Sequence, residues 1–243
     1  MKNILIVGGT SDISKEFIKS TYLDNNLYIT YRDKKKFLEF TKDLNCEKNI
    51  NNFFIDLSDL ESIDNLNYSG FNNFDAVIFF AAIDIIKPFK LISNDDIKNS
   101  FNINIISSII LIRNLINYKL LNNLSSVVFL SSISGIKIGP SGHSLYSSTK
   151  AAINGLIMSL ANENSKRGIR FNAIAPGLIQ TKNLHDENTR IISNEDYDRY
   201  SMKYPLGLGK TNSVISLINF LISDESKWLT GQTIVLDGGF TIN

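Results

Sequence analysis

Ile4-Leu5-Ile6-Val7-Gly8-Gly9-Thr10-Ser11-Asp12-Ile13-Ser14 opens the chain with an apolar run, a glycine pair and the first turn of a helical pattern. Ile4–Val7 is short, branched and apolar on both faces, as a strand covered by helices on both sides must be. A glycine behind such a strand lets the backbone turn tightly and come close to a phosphate. The helix that follows offers free N–H groups and the positive end of its dipole. Taken alone the turn is common, and Ser11 or Asp12 can equally be a helix N-cap with a structural job.

The same alternation continues outward. Leu27–Tyr31, Phe53–Ile55, Ala76–Phe80, Val127–Leu130, Phe171–Ile174 and Thr233–Leu236 read as further strands, short and mostly apolar on both faces. Ile13–Thr21, Lys34–Leu44, Ile97–Leu121, Ser147–Asn164 and Thr211–Ser223 are compatible with amphipathic helices between them. Strand and helix in alternation predict a doubly wound α/β fold, with a seven-stranded parallel sheet, helices on both faces and ligands at the carboxyl ends of the strands. There is no internal repeat and no Pro/Gly/Ser-rich linker, so residues 1–243 read as one domain.

Composition narrows the function class. A net charge of +1 gives no reason to expect nucleic acid or an anionic membrane as partner. Lys34-Lys35-Lys36 reads as the solvated start of a helix. The lone cysteine, Cys46, cannot form an internal disulfide, and His143 and His185 have no metal-ligand spacing with it, so no metal is expected. Met1–Val7 is too short for a signal peptide or a membrane span, and the protein reads as cytoplasmic.

The second half carries an ordered set of motifs. Ser131-Ser132 is followed by Tyr146-Ser147-Ser148-Thr149-Lys150, then Asn172-Ala173-Ile174-Ala175-Pro176-Gly177, then Leu236-Asp237-Gly238-Gly239. A lone Tyr-x-x-x-Lys arises often by chance; the set in this order does not. From Lys2 to Thr241 the chain resembles the classical short-chain dehydrogenase/reductase family, and within it 3-oxoacyl-carrier-protein reductases. The resemblance implies a Rossmann fold and an NAD(P)-dependent interconversion of a carbonyl and an alcohol.

Residue by residue, the resemblance puts Gly8 on the first glycine of the family's T-G-x-x-x-G-x-G turn, with Asp12 and Ser14 on the second and third. It thereby implies that Gly8, Thr10, Ser11, Asp12 and Ile13 surround the cofactor. Asp56-Leu57-Ser58 resembles the step whose carboxylate meets the adenine. Phe79-Phe80-Ala81-Ala82 falls where the family has N-N-A-G, and both asparagines are replaced. Asn104, with Asn102 as its rival, falls on the family's active-site asparagine. Pro176-Gly177-Leu178-Ile179-Gln180-Thr181 resembles the segment that holds the nicotinamide carboxamide, through Ile179 and Thr181. One extra residue separates Ser132 from Tyr146 relative to the commonest spacing, which predicts a small loop insertion.

The chemistry follows from the residue types. A free phenol has a pKa near ~10, too high for a base at neutral pH. Lys150, four positions along the same helix face, is expected to favour the phenolate of Tyr146. By resemblance Lys150 also binds the nicotinamide ribose, Ser132 holds the substrate oxygen, and Asn104 holds a water linking Lys150 to solvent. Ser131 and Ser134 compete with Ser132, and His143 stands three residues before Tyr146.

Tyr31-Arg32-Asp33 follows the second strand. An arginine there suits the 2′-phosphate of NADP and an acid suits the 2′-OH of NAD, so Arg32 predicts NADP, with NAD as the alternative that Asp33 favours. The polar stretch 182–205 reads as a lid over a polar carbonyl substrate, such as a 3-oxoacyl thioester or keto-sugar. The resemblance further implies a homo-oligomer, tetramer or dimer, built on the long helices, where Ala151, Ala152, Gly155 and Ser159 allow close contact. The competing expectation is a nucleotide-binding homologue that has lost turnover and acts as sensor or scaffold.

Overall fold

Alternation of apolar side chains sets the architecture. In β1 (Asn3–Val7) Leu5 and Val7 enter one buried cluster, and Ile4 and Ile6 enter the other. Successive side chains point to opposite faces of a sheet, so a strand apolar throughout needs helices on both sides. In the computed structural model, which describes residues 1–42, 44, 49–181 and 200–242, both sides are covered.

The strands are β1, β2 (Asn26–Tyr31), β3 (Ile50–Phe54), β4 (Phe74–Phe79), β5 (Leu121–Leu130), β6 (Arg170–Pro176) and β7 (Thr233–Leu236). They form one parallel sheet in the order β3-β2-β1-β4-β5-β6-β7. The helices are α1 (Asp12–Thr21), α2 (Lys34–Thr41), the short α3 (Leu60–Asp64), α4 (Asn94–Phe101), α5 (Ser107–Asn117), α6 (Ser144–Glu163) and α7 (Thr211–Leu221). Phe17, Ile18, Phe37, Val214 and Ile218 from α1, α2 and α7 cover one face; Leu111, Ile112, Leu115, Ile153 and Ile157 from α5 and α6 cover the other. The doubly wound α/β Rossmann fold expected from the sequence is the fold observed.

Strand order reverses between β1 and β4, and there the loops behind the two strands meet. Val7 pairs with Phe79 in register, and the Val7 carbonyl accepts from Phe80 N–H at 2.9 Å and Ala81 N–H at 3.1 Å. That reversal opens a crevice at the carboxyl edge of the sheet, the usual ligand position in this topology.

The long helix expected over Ile97–Leu121 is broken. A π-helical turn, Asn102–Ile106, joins α4 to α5, and α5 ends at Asn117 so that Leu121 already opens β5. Apolar spacing does not reveal an inserted residue in a helix, but the insertion rotates the side chains that follow it, and such turns recur at functional sites.

Phe79 and Phe80 have a packing role. Phe79 stacks on Phe129 of the neighbouring strand at 4.5 Å between centroids and 4° between planes, while Phe80 packs against Phe17 at 5.7 Å on the opposite face. Aromatic contacts, Phe79 to β5 and Phe80 to α1, thus occupy the two positions where the resemblance implied asparagines.

Candidate active site

The glycine turn is built to bring backbone alone to the crevice. Gly8 adopts φ +90°, and a Cβ there would lie 2.7 Å from Ala81 Cβ. Its N–H donates to Thr30 Oγ1 at 3.0 Å, and Gly9 N–H donates to the Thr30 carbonyl at 2.8 Å. Ser11 caps α1, accepting from Ser14 N–H at 3.2 Å. Ser14 is fully buried and bonds back to the Ser11 carbonyl at 2.9 Å, which explains a serine where a glycine was expected.

Two adjoining clefts follow from the turn. One, of about 250 Å³, is lined by Gly8, Thr10, Ser11, Thr30, Tyr31, Arg32, Asp56, Leu57, Ala81 and Ala82 among others. The second, of about 310 Å³, is lined by Ser11, Asp12, Ile13, Ala82, Ser132, Tyr146, Lys150, Pro176, Gly177, Ile179 and Thr181 among others. Ser11, Phe80 and Ala82 border both. Every residue expected around a cofactor thus borders one of two clefts that share Ser11, Phe80 and Ala82, and the bare backbone at Gly8 leaves room for a diphosphate to approach.

Asp33 N-caps α2 through Lys36 N–H at 3.0 Å, whereas Arg32 borders the first cleft. Burial works to raise the pKa of Asp56, but hydrogen bonds from Ser58 and the charge of Arg32 hold it below the ordinary carboxylate value.

Tyr146 and Lys150 rise from the first two turns of α6. Lys150 is 2 % exposed and donates from Nζ to the Leu130 carbonyl at 2.6 Å; its Nζ lies 5.4 Å from the Tyr146 ring centre. Ser131 and Ser132 both border the cleft, but Ser131 Oγ donates to the Lys150 carbonyl at 3.0 Å and so ties the strand end to the helix. Ser134 is turned inward and buried, and its N–H donates to Ser132 Oγ at 3.1 Å. Between Ser132 and Tyr146 the loop folds back in a turn closed by Gly135 N–H to the Ile138 carbonyl at 2.8 Å.

Burial pushes the Tyr146 phenol up to about 12, the Asp84 carboxylate adds to that, and the Ser132 hydroxyl works against it. Burial pushes the Lys150 amine down to about 8, with Asp84 opposing. The expected lowering of the phenol by Lys150 is not what this arrangement produces. The ammonium is committed to Leu130, and desolvation of the phenolate dominates.

Asn104, 3 % exposed within the π-helical turn, accepts Ile83 N–H at 2.8 Å and donates Nδ2 to the Ile83 carbonyl at 2.8 Å and to Thr149 Oγ1 at 3.1 Å. Both amide hydrogens are therefore used, and only Oδ1 has capacity left for a water. Asn102 makes no comparable tie to this loop.

The segment expected to hold the carboxamide is tied to its neighbours by backbone and side-chain hydrogen bonds. Gly177 N–H donates to the Leu236 carbonyl at 3.0 Å, and Ile179–Gln180 pairs in parallel with Gly209–Lys210. Leu178 N–H donates to Tyr204 Oη at 2.8 Å. Of the expected lid, residues 182–199 lie outside the described residues, as do Cys46 and His185.

Sequence reasoning missed Thr30, which receives Gly8, and Asp84, which stands beside Tyr146 and Lys150. Neither carried a local signal: both act across the sheet edge. Among the described residues no group of three His, Cys, Asp or Glu could hold a metal ion, and no helix is long and apolar enough to cross a membrane.

Comparison with known proteins bears on the family. A family model described as enoyl-(acyl carrier protein) reductase matches residues 22–241. A glucose 1-dehydrogenase of Gluconobacter oxydans is 32% identical over 171 residues, 69% of this chain and 62% of the relative. A 7alpha-hydroxysteroid dehydrogenase of Bacteroides fragilis is 38% identical over 122 residues, 49% of this chain and 44% of the relative. A tropinone reductase homologue of Arabidopsis thaliana is 44% identical over 121 residues, 49% of this chain and 36% of the relative. The chain thus spans less than two thirds of the length of these curated relatives. Two solved structures superpose over their whole length and 100% of this chain, each at 28% identity: a short chain dehydrogenase family protein from Francisella tularensis at TM-score 0.85, and ElxO with NADP bound at 0.87. A match from residue 22 to residue 241, on a sheet wound in this order, decides the family: this chain belongs to the classical short-chain dehydrogenase/reductase superfamily of oxidoreductases.

Proposed function

We propose that the chain reduces a polar ketone, of the 3-oxoacyl thioester or keto-sugar type, with NADPH, and runs the reverse oxidation when the alcohol is in excess. The observation that carries this reading is the convergence of Ser132, Tyr146 and Lys150 on the same cleft wall as the glycine turn and Pro176-Gly177. A nicotinamide bound along the two clefts supplies the hydride.

The residues of the chain handle the oxygen and the proton. Ser132 orients the substrate oxygen by hydrogen bond. Tyr146, a protonated phenol at neutral pH because burial raises its pKa, gives its proton to that oxygen as negative charge develops there. Lys150 holds the cofactor ribose with hydrogens not used on Leu130. Asn104 acts as a positioning residue: it fixes Ile83, and with it the loop carrying Ala81 and Ala82. Gly8, Thr10, Ser11, Asp12 and Ile13 cradle the diphosphate, Asp56 and Leu57 meet the adenine, and Gly177, Ile179 and Thr181 hold the carboxamide.

Preference for NADP over NAD rests on Arg32 at the cleft and on Asp33 being spent as an N-cap. ElxO, at 28% identity, was solved with NADP bound, in keeping with that preference. Exposed Ala152, Gly155 and Ser159 on α6 support assembly as a homo-oligomer through that helix.

The second reading, a nucleotide-binding homologue without turnover, has the replacement of two asparagines by Phe79 and Phe80 in its favour. NADPH oxidation with a panel of 3-oxoacyl thioesters, keto-sugars and other ketones separates the two. Consumption that Tyr146→Phe abolishes supports the enzyme; NADPH binding with no consumption on any ketone supports the second reading.

A further inference from the structure

Two loops meet beside Tyr146. One runs from β4 through Ala82 to Lys87, and the other ends on His143, just before α6. Lys87 N–H donates to the Gly142 carbonyl at 3.0 Å and clasps them together. His143 Nδ1 lies 3.0 Å from Asp84 Oδ2, with the two side chains 24% and 25% exposed. Nδ1 is buried, and the Asp84 carboxylate lies within ion-pair distance of it without completing a hydrogen bond among the described residues. The His143 ring stands edge-on to Tyr146, centroids 6.3 Å apart. Asp84 follows Ile83, whose backbone Asn104 holds at both ends, so the carboxylate sits on a fixed base.

A carboxylate on Nδ1 fixes the orientation of an imidazole and leaves Nε2 to meet a ligand. We propose that Asp84 and His143 form a substrate-recognition pair, with Asp84 orienting the ring and His143 Nε2 binding a hydroxyl on a carbon near the carbonyl that Tyr146 serves. A hydroxyl fits because it donates to a neutral Nε2 and accepts from a protonated one. The substrate class is therefore a hydroxylated ketone, and an apolar ketone would leave the pair desolvated and unmatched. This deepens the carbonyl-reductase reading and rests on it.

The test compares kcat/KM with NADPH for 2-hydroxycyclohexanone against cyclohexanone and for acetoin against butanone. The expected result is a preference of roughly tenfold or more for the hydroxylated member of each pair. His143→Phe should bring each pair to near equality by lowering only the hydroxy-ketone value, with NADPH binding unchanged. Asp84→Leu should do the same, and Asp84→Asn, whose amide oxygen still accepts from Nδ1–H, should restore most of the preference. A wild type with no preference, a His143→Phe that keeps it, or an Asp84→Leu that keeps it overturns the pair. Binding of NADPH without reduction of any of the four ketones also overturns this substrate class, and the wider reading is then decided by the panel above. Failure of the wild type to bind NADPH sinks both.

Discussion

Asn104 holds Ile83 at both of its backbone polar groups, accepting its N–H and donating to its carbonyl, each at 2.8 Å. Substitution Asn104→Ala leaves both without that partner, and each such group costs about 1–3 kcal/mol when water does not replace it. Asn104→Ala should therefore lower unfolding free energy by roughly 2–6 kcal/mol and weaken NADPH binding, because the loop bearing Ala81 and Ala82 loses its anchor. Denaturant titration with cofactor titration checks this; an unchanged midpoint would remove Asn104 from the loop's support.

Tyr146→Phe removes one oxygen from the cleft. Proton transfer by a placed side chain is worth about 10²–10⁴ in rate, so kcat should fall by that factor with the NADPH dissociation constant unchanged. A fall in cofactor affinity matching the fall in rate would point to lost binding instead.

Lys150 sets the alkaline limb. Its folded-state value, about 8, lies below the ordinary amine value, so the ammonium is lost as pH rises through about 8. Reduction should be level from pH 6 to about 7.5 and fall above about 8, and Lys150→Met should be slow and flat across that range. The phenol, at about 12, contributes no break there.

Arg32 borders the cleft while Asp33 caps α2. A charge-assisted hydrogen bond contributes about 1.5–3 kcal/mol, so Arg32→Ala should weaken NADPH binding by roughly 10–100-fold and leave NADH almost unaffected. Equal losses for both cofactors would show that Arg32 reads something other than the 2′-phosphate.

Asp96 gives the fold an acid-sensitive contact. Its carboxylate accepts from Lys87 Nζ at 2.7 Å and from Ser93 N–H at 3.0 Å, with the lysine bond the larger cause of a value lowered to about 2. A lowered carboxylate stabilises the fold above its ordinary pKa of 3.8, and that contribution disappears as pH falls through about 2. Melting curves of the wild type and Asp96→Asn should differ by a constant amount above about pH 4.5 and converge toward pH 2. Ser93→Ala, which removes the reciprocal cap, should cost about 1 kcal/mol at neutral pH.

The order of the seven strands was legible because it rests on local rules, whereas the short α3 (Leu60–Asp64) was not expected. Ile4–Val7 had to be a doubly covered strand from its composition, and Gly8 had to turn because an L side chain there would be strained and would meet Ala81. Tyr146 and Lys150 share a face through helix periodicity alone. Helix ends were less legible. Leu121 looked like the tail of a long helix, yet pairing of β5 with Phe74 draws it into the sheet.

The sequence by itself determined the strand order along the chain, the doubly wound class and the side chains available for proton transfer, since these follow from apolar period, glycine placement and spacing along one helix. Tertiary structure alone decided the π-helical turn that brings Asn104 to Ile83, the stacking of Phe79 on Phe129, the burial that raises the Tyr146 phenol, and the meeting of Asp84 with His143. Each depends on contacts between segments tens of residues apart, where desolvation and packing outweigh the local preferences a linear sequence displays.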